Sequence, residues 1–165
     1  IRFLRAEGGV AEAVRLEREN TLAGLDTVVF TGTSYAATVA QVGRGGPRAF
    51  SNTAGFPLEF VPVNDPGHLH VGDTLRVTVL GGGKPVPQIG IDVAPATDTT
   101  STATPAPRLA WVALTADANG VVRVPLTKAG AWILRSAYAS RKDGGAANEW
   151  DVSRSTYVLN VGAAH

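Results

Sequence analysis

The chain contains no cysteine and no methionine. Without cysteine there are no disulfides, thiolate metal centres, iron–sulfur clusters or cysteine nucleophiles. The absence of methionine extends to the first position, Ile1, and points to a processed or truncated product. An excess of one charge sign is missing as well: 15 Lys and Arg face 14 Asp and Glu, a formal net charge of +1. That balance argues against the basic surface of a nucleic-acid binder and the polybasic patch of a membrane-surface protein. No apolar run approaches the roughly 20 residues of a spanning helix, so no membrane span is expected. No signal peptide is visible in the sequence. What remains is 165 residues, 44% of them apolar, which is enough for one domain with a real core, or one domain plus a fragment of another.

Two periodicities divide the chain. Over residues 1–19, Ile1, Leu4, Val10, Val14 and Leu16 recur at helical spacing, with Arg2, Glu7, Glu12, Arg15 and Arg18 between them. Gly8-Gly9 interrupts the pattern, which predicts two short helical turns rather than one long helix. The mixed signs on the polar side speak for a helix packed on a neighbour, not on a membrane surface. From Asp26 the period shortens to two. Thr27–Thr31 is rich in β-formers, and Ser34–Val42 is compatible with strand or helix. Gly43, Gly45, Gly46 and Pro47 then break the chain, so a linker is expected over 44–50.

Beyond it, short alternating runs follow at even spacing: Leu58–Val63, Thr74–Leu80, Gln88–Val93, Leu109–Thr115, Val121–Leu126, Ala131–Tyr138 and Tyr157–Val161. Turn signals separate them, among them Asn64-Asp65-Pro66-Gly67, Gly81-Gly82-Gly83 and Asn119-Gly120. No helical pattern lies between the runs, which excludes a parallel α/β sheet and predicts an all-β, Ig-like or transthyretin-like antiparallel β-sandwich with a short N-terminal helix. Residues 95–107, rich in Thr, Pro and Ala, read as an exposed loop, and as an O-glycan acceptor in a secreted protein.

Little in the sequence carries chemistry. His68-Leu69-His70 follows the Asp65 turn. If that piece is extended, both imidazoles face one side about 7 Å apart, and with Asp65 or Asp73 they form a candidate site for nickel, cobalt, copper or zinc. Ser34 has no nucleophile-elbow context. Glu149 and Asp151 flank Trp150 on one short piece of chain, a poor arrangement for a glycosidase pair. The Gly43–Gly46 stretch lacks the Lys-Ser/Thr of a phosphate loop. No catalytic residues are assigned, and an enzyme is not expected. Trp132 falls mid-strand and reads as core, Trp111 as core or rim, and Trp150 as the cover of a sandwich end or an exposed binding aromatic.

Several segments together resemble a bacterial periplasmic family of unknown function, the periplasmic component of ABC-type nickel/cobalt uptake. They are Phe3–Gly8, Gly55–Pro62, Asn64–Pro66, Gly72–Val77, Lys84–Pro87, Thr115–Gly120, Gly130–Leu134 and Glu149–Asp151. The resemblance implies an exported protein, periplasmic or extracellular, built from two Ig-like sandwiches. Residues 1–43 would then be the helix and closing strand left from a preceding β domain, and 51–165 a carboxypeptidase-regulatory-like domain. The family's N-terminal histidine stretch is absent here, and Tyr138 stands where the family tends to carry a histidine. His68, His70 and Asp65 are not part of the resemblance and rest on spacing alone.

Two functions follow as expectations. One is a non-enzymatic exported accessory or binding protein linked to transition-metal uptake, with a metal ion or a transporter component as partner. The other is a structural subunit of a surface or filamentous assembly. In that case a strand within 26–43, left without a partner in its own chain, adds to the sheet of another copy and makes a homo-oligomer.

Overall fold

The computed structural model describes residues 10–38, 49–96 and 109–164. The expected turns before Val10, most of the linker and most of the Thr/Pro-rich run lie outside the described residues. Among the described residues, the helix α1 (Val10–Arg18) precedes nine strands: β1 (Val29–Thr38), β2 (Leu58–Pro62), β3 (Thr74–Gly81), β4 (Lys84–Pro85), β5 (Gly90–Pro95), β6 (Val112–Thr115), β7 (Val121–Pro125), β8 (Gly130–Arg141) and β9 (Glu149–Val161). They form two sheets. One has the order β1-β9-β8-β5-β6; in the other, β3 is flanked by β2 on one side and by β4 and β7 on the other.

The expected all-β sandwich is present, and its core follows from the period of two. On β3, Leu75, Val77 and Val79 are buried while Thr74 and Arg76 are exposed. β7 answers with Val122 and Val124, and the facing sheet supplies Ile91, Val93, Trp132, Leu134, Tyr157 and Leu159. Fully burying a side chain of this kind contributes about 1.5–3 kcal/mol, so the facing rows are the main source of stability. The predicted Asn119-Gly120 turn connects β6 and β7. Gly120 sits at φ +73°, and Asp117 Oδ1 accepts from the amides of Asn119 (2.8 Å) and Val121 (3.0 Å). Those two bonds, Val121 first, hold the Asp117 carboxyl below its ordinary 3.8.

Within residues 10–38 the strand differs from expectation. Of the ambiguous Ser34–Val42 stretch, Ser34–Thr38 continues β1 as strand, and 39–42 lie outside the described residues. The strand expected to lack a partner has one: β1 pairs in parallel with β9 over its whole length, from Val29 opposite Glu149 to Thr38 opposite Val158. Among the described residues this is the one parallel ladder between strands, the others being antiparallel. The helix docks too. Ala13 and Leu16 bury against Ala137, Ala139, Trp150 and Val152 on the outer face of the five-stranded sheet, making a second small core. α1 and β1 are thus both held on the five-stranded sheet, the helix through its side chains and the strand through its ladder to β9.

A third difference lies in β8 and β9. They run longer than expected, to Arg141 and from Glu149, because their far ends are buried by α1 rather than by the opposite sheet. Trp150 therefore lies within a strand, 4% exposed, and is neither a loop aromatic nor an end cover.

The docking of α1 has a polar component. β5 pairs β8 only from Arg135 back to Trp132, so beyond Arg135 that side of β8 has no strand among the described residues. Glu12 and Arg15, one turn apart on α1, take that place. The amide of Ala139 donates to Glu12 Oε1 at 2.7 Å, and Arg15 Nη2 donates to the Ala139 carbonyl at 3.2 Å. Arg15 also donates to both oxygens of Glu12 and to Glu19. A buried backbone amide without an acceptor is costly. Here an ion pair supplies the acceptor and the donor that a neighbouring strand would have offered.

Candidate functional site

The residues expected to bind metal lie in the connection from β2 to β3. Asp65 is the N-cap of a single 3-10 turn, Pro66–His68. Its Oδ1 accepts from Gly67 N at 2.8 Å and its Oδ2 meets His68 Nδ1 at 2.9 Å. The Gly67 bond first, then the His68 contact, hold the Asp65 carboxyl below its ordinary range. Asn64 pins the turn to β3: its side chain donates to the Thr74 carbonyl and accepts from the Arg76 amide, as a paired residue would.

The extended His-Leu-His geometry is not what forms. Pro66 and the Asp65 cap favour a helical turn that brings Asp65 and His68 together, and His70 lies beyond the end of that turn. The His68 side chain is 73% exposed. Leu69 is buried, and His70 enters a parallel bridge with Gly162 at the end of β9. Its imidazole lies over that glycine, where a Cβ would come within 2.7 Å of Cδ2. On its other side, His70 Nδ1 is 4.0 Å from Asp73 Oδ2, and the same oxygen accepts from the His70 amide.

The three expected ligands therefore do not make a chelating set. Both Asp65 oxygens are engaged within the turn, and the His70 ring is seated on the backbone. Among the described residues, no three His, Asp or Glu side chains converge to hold a metal ion. The outward nitrogen of His68 is the donor this geometry presents. Beneath the turn, Tyr157 is buried and its hydroxyl has no hydrogen-bond partner among the described residues. Burial first, then the Asp65 carboxylate, push that phenol upward.

Two other arrangements were not visible in the sequence. On the outer sheet face, the Arg135 guanidinium stacks 3.6 Å from the centre of the Trp111 ring, with Nε 3.5 Å from the buried Asp92. Trp111 is thus a half-buried cover for an ion pair. At the β6–β7 side, Val93, Pro95, Val112, Leu114, Pro125 and Trp132 line an apolar recess of about 270 Å³ that contains none of the histidines. Trp132 was legible as core; its place in a recess depends on β6 and β7 meeting beside it.

Two facing sheets, a short outer helix and a pinned β2–β3 turn define an all-β sandwich domain with no assigned chemistry. A family model described as a domain of unknown function, DUF4198, matches residues 20–140, and the chain belongs to that family. No curated protein and no solved structure matches it.

Proposed function

We propose that this protein is a non-enzymatic accessory module, located outside the cytoplasm, that acts in nickel or cobalt uptake and touches the metal through His68. The observation that supports this most directly is the Asp65–His68 pair. A carboxylate on Nδ1 favours the tautomer that leaves Nε2 unprotonated and open to solvent, the arrangement seen behind metal-binding histidines. A single imidazole binds a divalent ion weakly, with water or a second protein filling the other positions. That suits a module that passes an ion to a transporter component better than one that stores it. In this reading Asp65 positions His68, and His70 is structural. The link to uptake and the location rest on the sequence resemblance alone.

The test is nickel titration followed by paramagnetic broadening of amide and imidazole signals in wild type, His68→Ala, His70→Ala and Asp65→Asn. Broadening centred on residue 68 is expected in wild type and His70→Ala, weakened in Asp65→Asn and lost in His68→Ala. Equal broadening in His68→Ala, or none in wild type, overturns the reading. A second reading, a subunit that assembles by strand addition, is favoured by the outer edge of β1.

A further inference from the structure

The edges of the two sheets are protected unequally. An unpaired strand edge is a template for another chain, and natural proteins blunt it with shortness, proline or charge. β6 is only 4 residues long. β4 has 2 residues, one of them Pro85. β2 ends on Pro62, and β7 carries Arg123 and ends on Pro125. β1 has none of these devices. It runs 10 residues, VFTGTSYAAT, with no charge and no proline, and its ladder to β9 is unbroken.

The register shows which groups are open. Val29, opposite Glu149, donates its amide to the Asn148 carbonyl at 2.9 Å. In a parallel ladder a residue directs its N–H and C=O to the same side, and alternate residues direct theirs to the other. Val29, Thr31, Thr33, Tyr35 and Ala37 therefore bond to β9. Phe30, Gly32, Ser34 and Ala36 direct both groups away from it, and no described strand pairs with that side.

We propose that the outer edge of β1 pairs antiparallel with β1 of a second copy, closing a two-fold dimer with one continuous ten-stranded sheet. The edge is self-complementary. A two-fold axis normal to the sheet brings residues of the same face opposite one another, and the outward-bonding residues all belong to one face. Phe30, Gly32, Ser34 and Ala36 thus meet their own counterparts, donor to acceptor, whichever residue of the strand sits on the axis. β1 itself carries no charged residue, so none of its own side chains sets a like charge against its counterpart; the Arg154 guanidinium of β9 lies over Gly32, 3.0 Å from where a Cβ would stand. The other edge of the same sheet is the short β6, too short to continue the pairing, so the assembly closes at two rather than growing into a filament.

The experiment is sedimentation equilibrium of the wild-type chain over a wide concentration range, with Ser34→Pro and Ala36→Lys. Proline at 34 removes an outward N–H and leaves the β9 ladder intact, a substitution edge strands tolerate. A mass of twice 17.1 kDa is expected. Ser34→Pro is expected to raise the dissociation constant at least about tenfold, because the two-fold removes the bond twice. Its thermal midpoint, measured alongside, reports folding, and Ala36→Lys gives the same readout should the proline variant not fold. The proposal is overturned by a wild-type monomer at millimolar concentration, by species that keep growing beyond the dimer, or by variants that dimerise as tightly as wild type. Capture of an unrelated extended peptide by a monomeric chain overturns the choice of partner.

Discussion

Glu12→Ala tests how α1 is held. Glu12 is 2% exposed and its carboxylate is the acceptor for the Ala139 amide. Removing it leaves that buried N–H unpaired, a loss of about 1–3 kcal/mol. Arg15 also loses its bidentate partner, although it is about a quarter exposed and keeps Glu19, so this adds no more than about 1 kcal/mol. Alanine's better helix propensity returns a few tenths of a kcal/mol. The expected net destabilisation is about 2–3 kcal/mol, a large share of a typical 5–15 kcal/mol total. Glu12→Gln keeps an acceptor for Ala139 and should lose about 1 kcal/mol. Glu19→Ala, which breaks only an exposed pair, should lose less than about 0.5 kcal/mol. Urea unfolding at constant m-value measures all three, and hydrogen exchange at the Ala139 amide locates the effect. If Glu12→Ala loses less than about 0.5 kcal/mol, or the Ala139 amide stays as protected as in wild type, the ion pair is not standing in for a strand.

Two further substitutions follow from the connection between β2 and β3. Tyr157→Phe removes a buried hydroxyl that has no hydrogen-bond partner among the described residues, so stability at pH 7 should change by less than about 1 kcal/mol, in either direction. At alkaline pH the two diverge. The folded phenol titrates above its ordinary 10.0, so the unfolded chain releases that proton first, and the stability present below pH 10 drains away as pH rises past it. Thermal midpoints from pH 8 to 11 should fall less steeply for the Phe variant; parallel curves would show that burial does not raise this phenol. Gly162→Ala places a Cβ 2.7 Å from the His70 ring and should destabilise by about 1–3 kcal/mol. In a His70→Ala background most of that loss should disappear, whereas an unchanged loss would place the strain in the backbone instead.

How far the sequence predicted the structure depends on the range of the contacts involved. β3 was legible because Leu75, Val77 and Val79 alternate with exposed residues within one strand, and the Asn119-Gly120 turn because its chemistry is local. The Asp65 turn was equally legible, but the extended period read from His68 onward begins one residue too early, because the helical turn started by Asp65 and Pro66 includes His68. α1 and β1 differ. Glu12 and Arg15 could be seen as a pair three residues apart, but their target, Ala139, lies 127 residues from Glu12. Likewise nothing within Val29–Thr38 says that it runs parallel to β9; that register is chosen by the partner strand.

These long-range devices also explain why β1 stands out. The molecule answers its open backbone in three ways: with short or proline-ended strands, with the Glu12–Arg15 pair on β8, and with a parallel partner on one side of β1. Glu12 and Arg15 of α1 are drawn inward to Ala139, Asp26 precedes β1, and the Arg154 guanidinium of β9 lies over Gly32. A chain that invests a buried ion pair in satisfying one amide and one carbonyl of β8 would gain more by covering the outward groups of Phe30, Gly32, Ser34 and Ala36, yet among the described residues no strand pairs with that side and β1 holds no lysine or proline. The economical explanation for a long, regular strand whose outer side no described strand pairs is that a strand of another copy covers it.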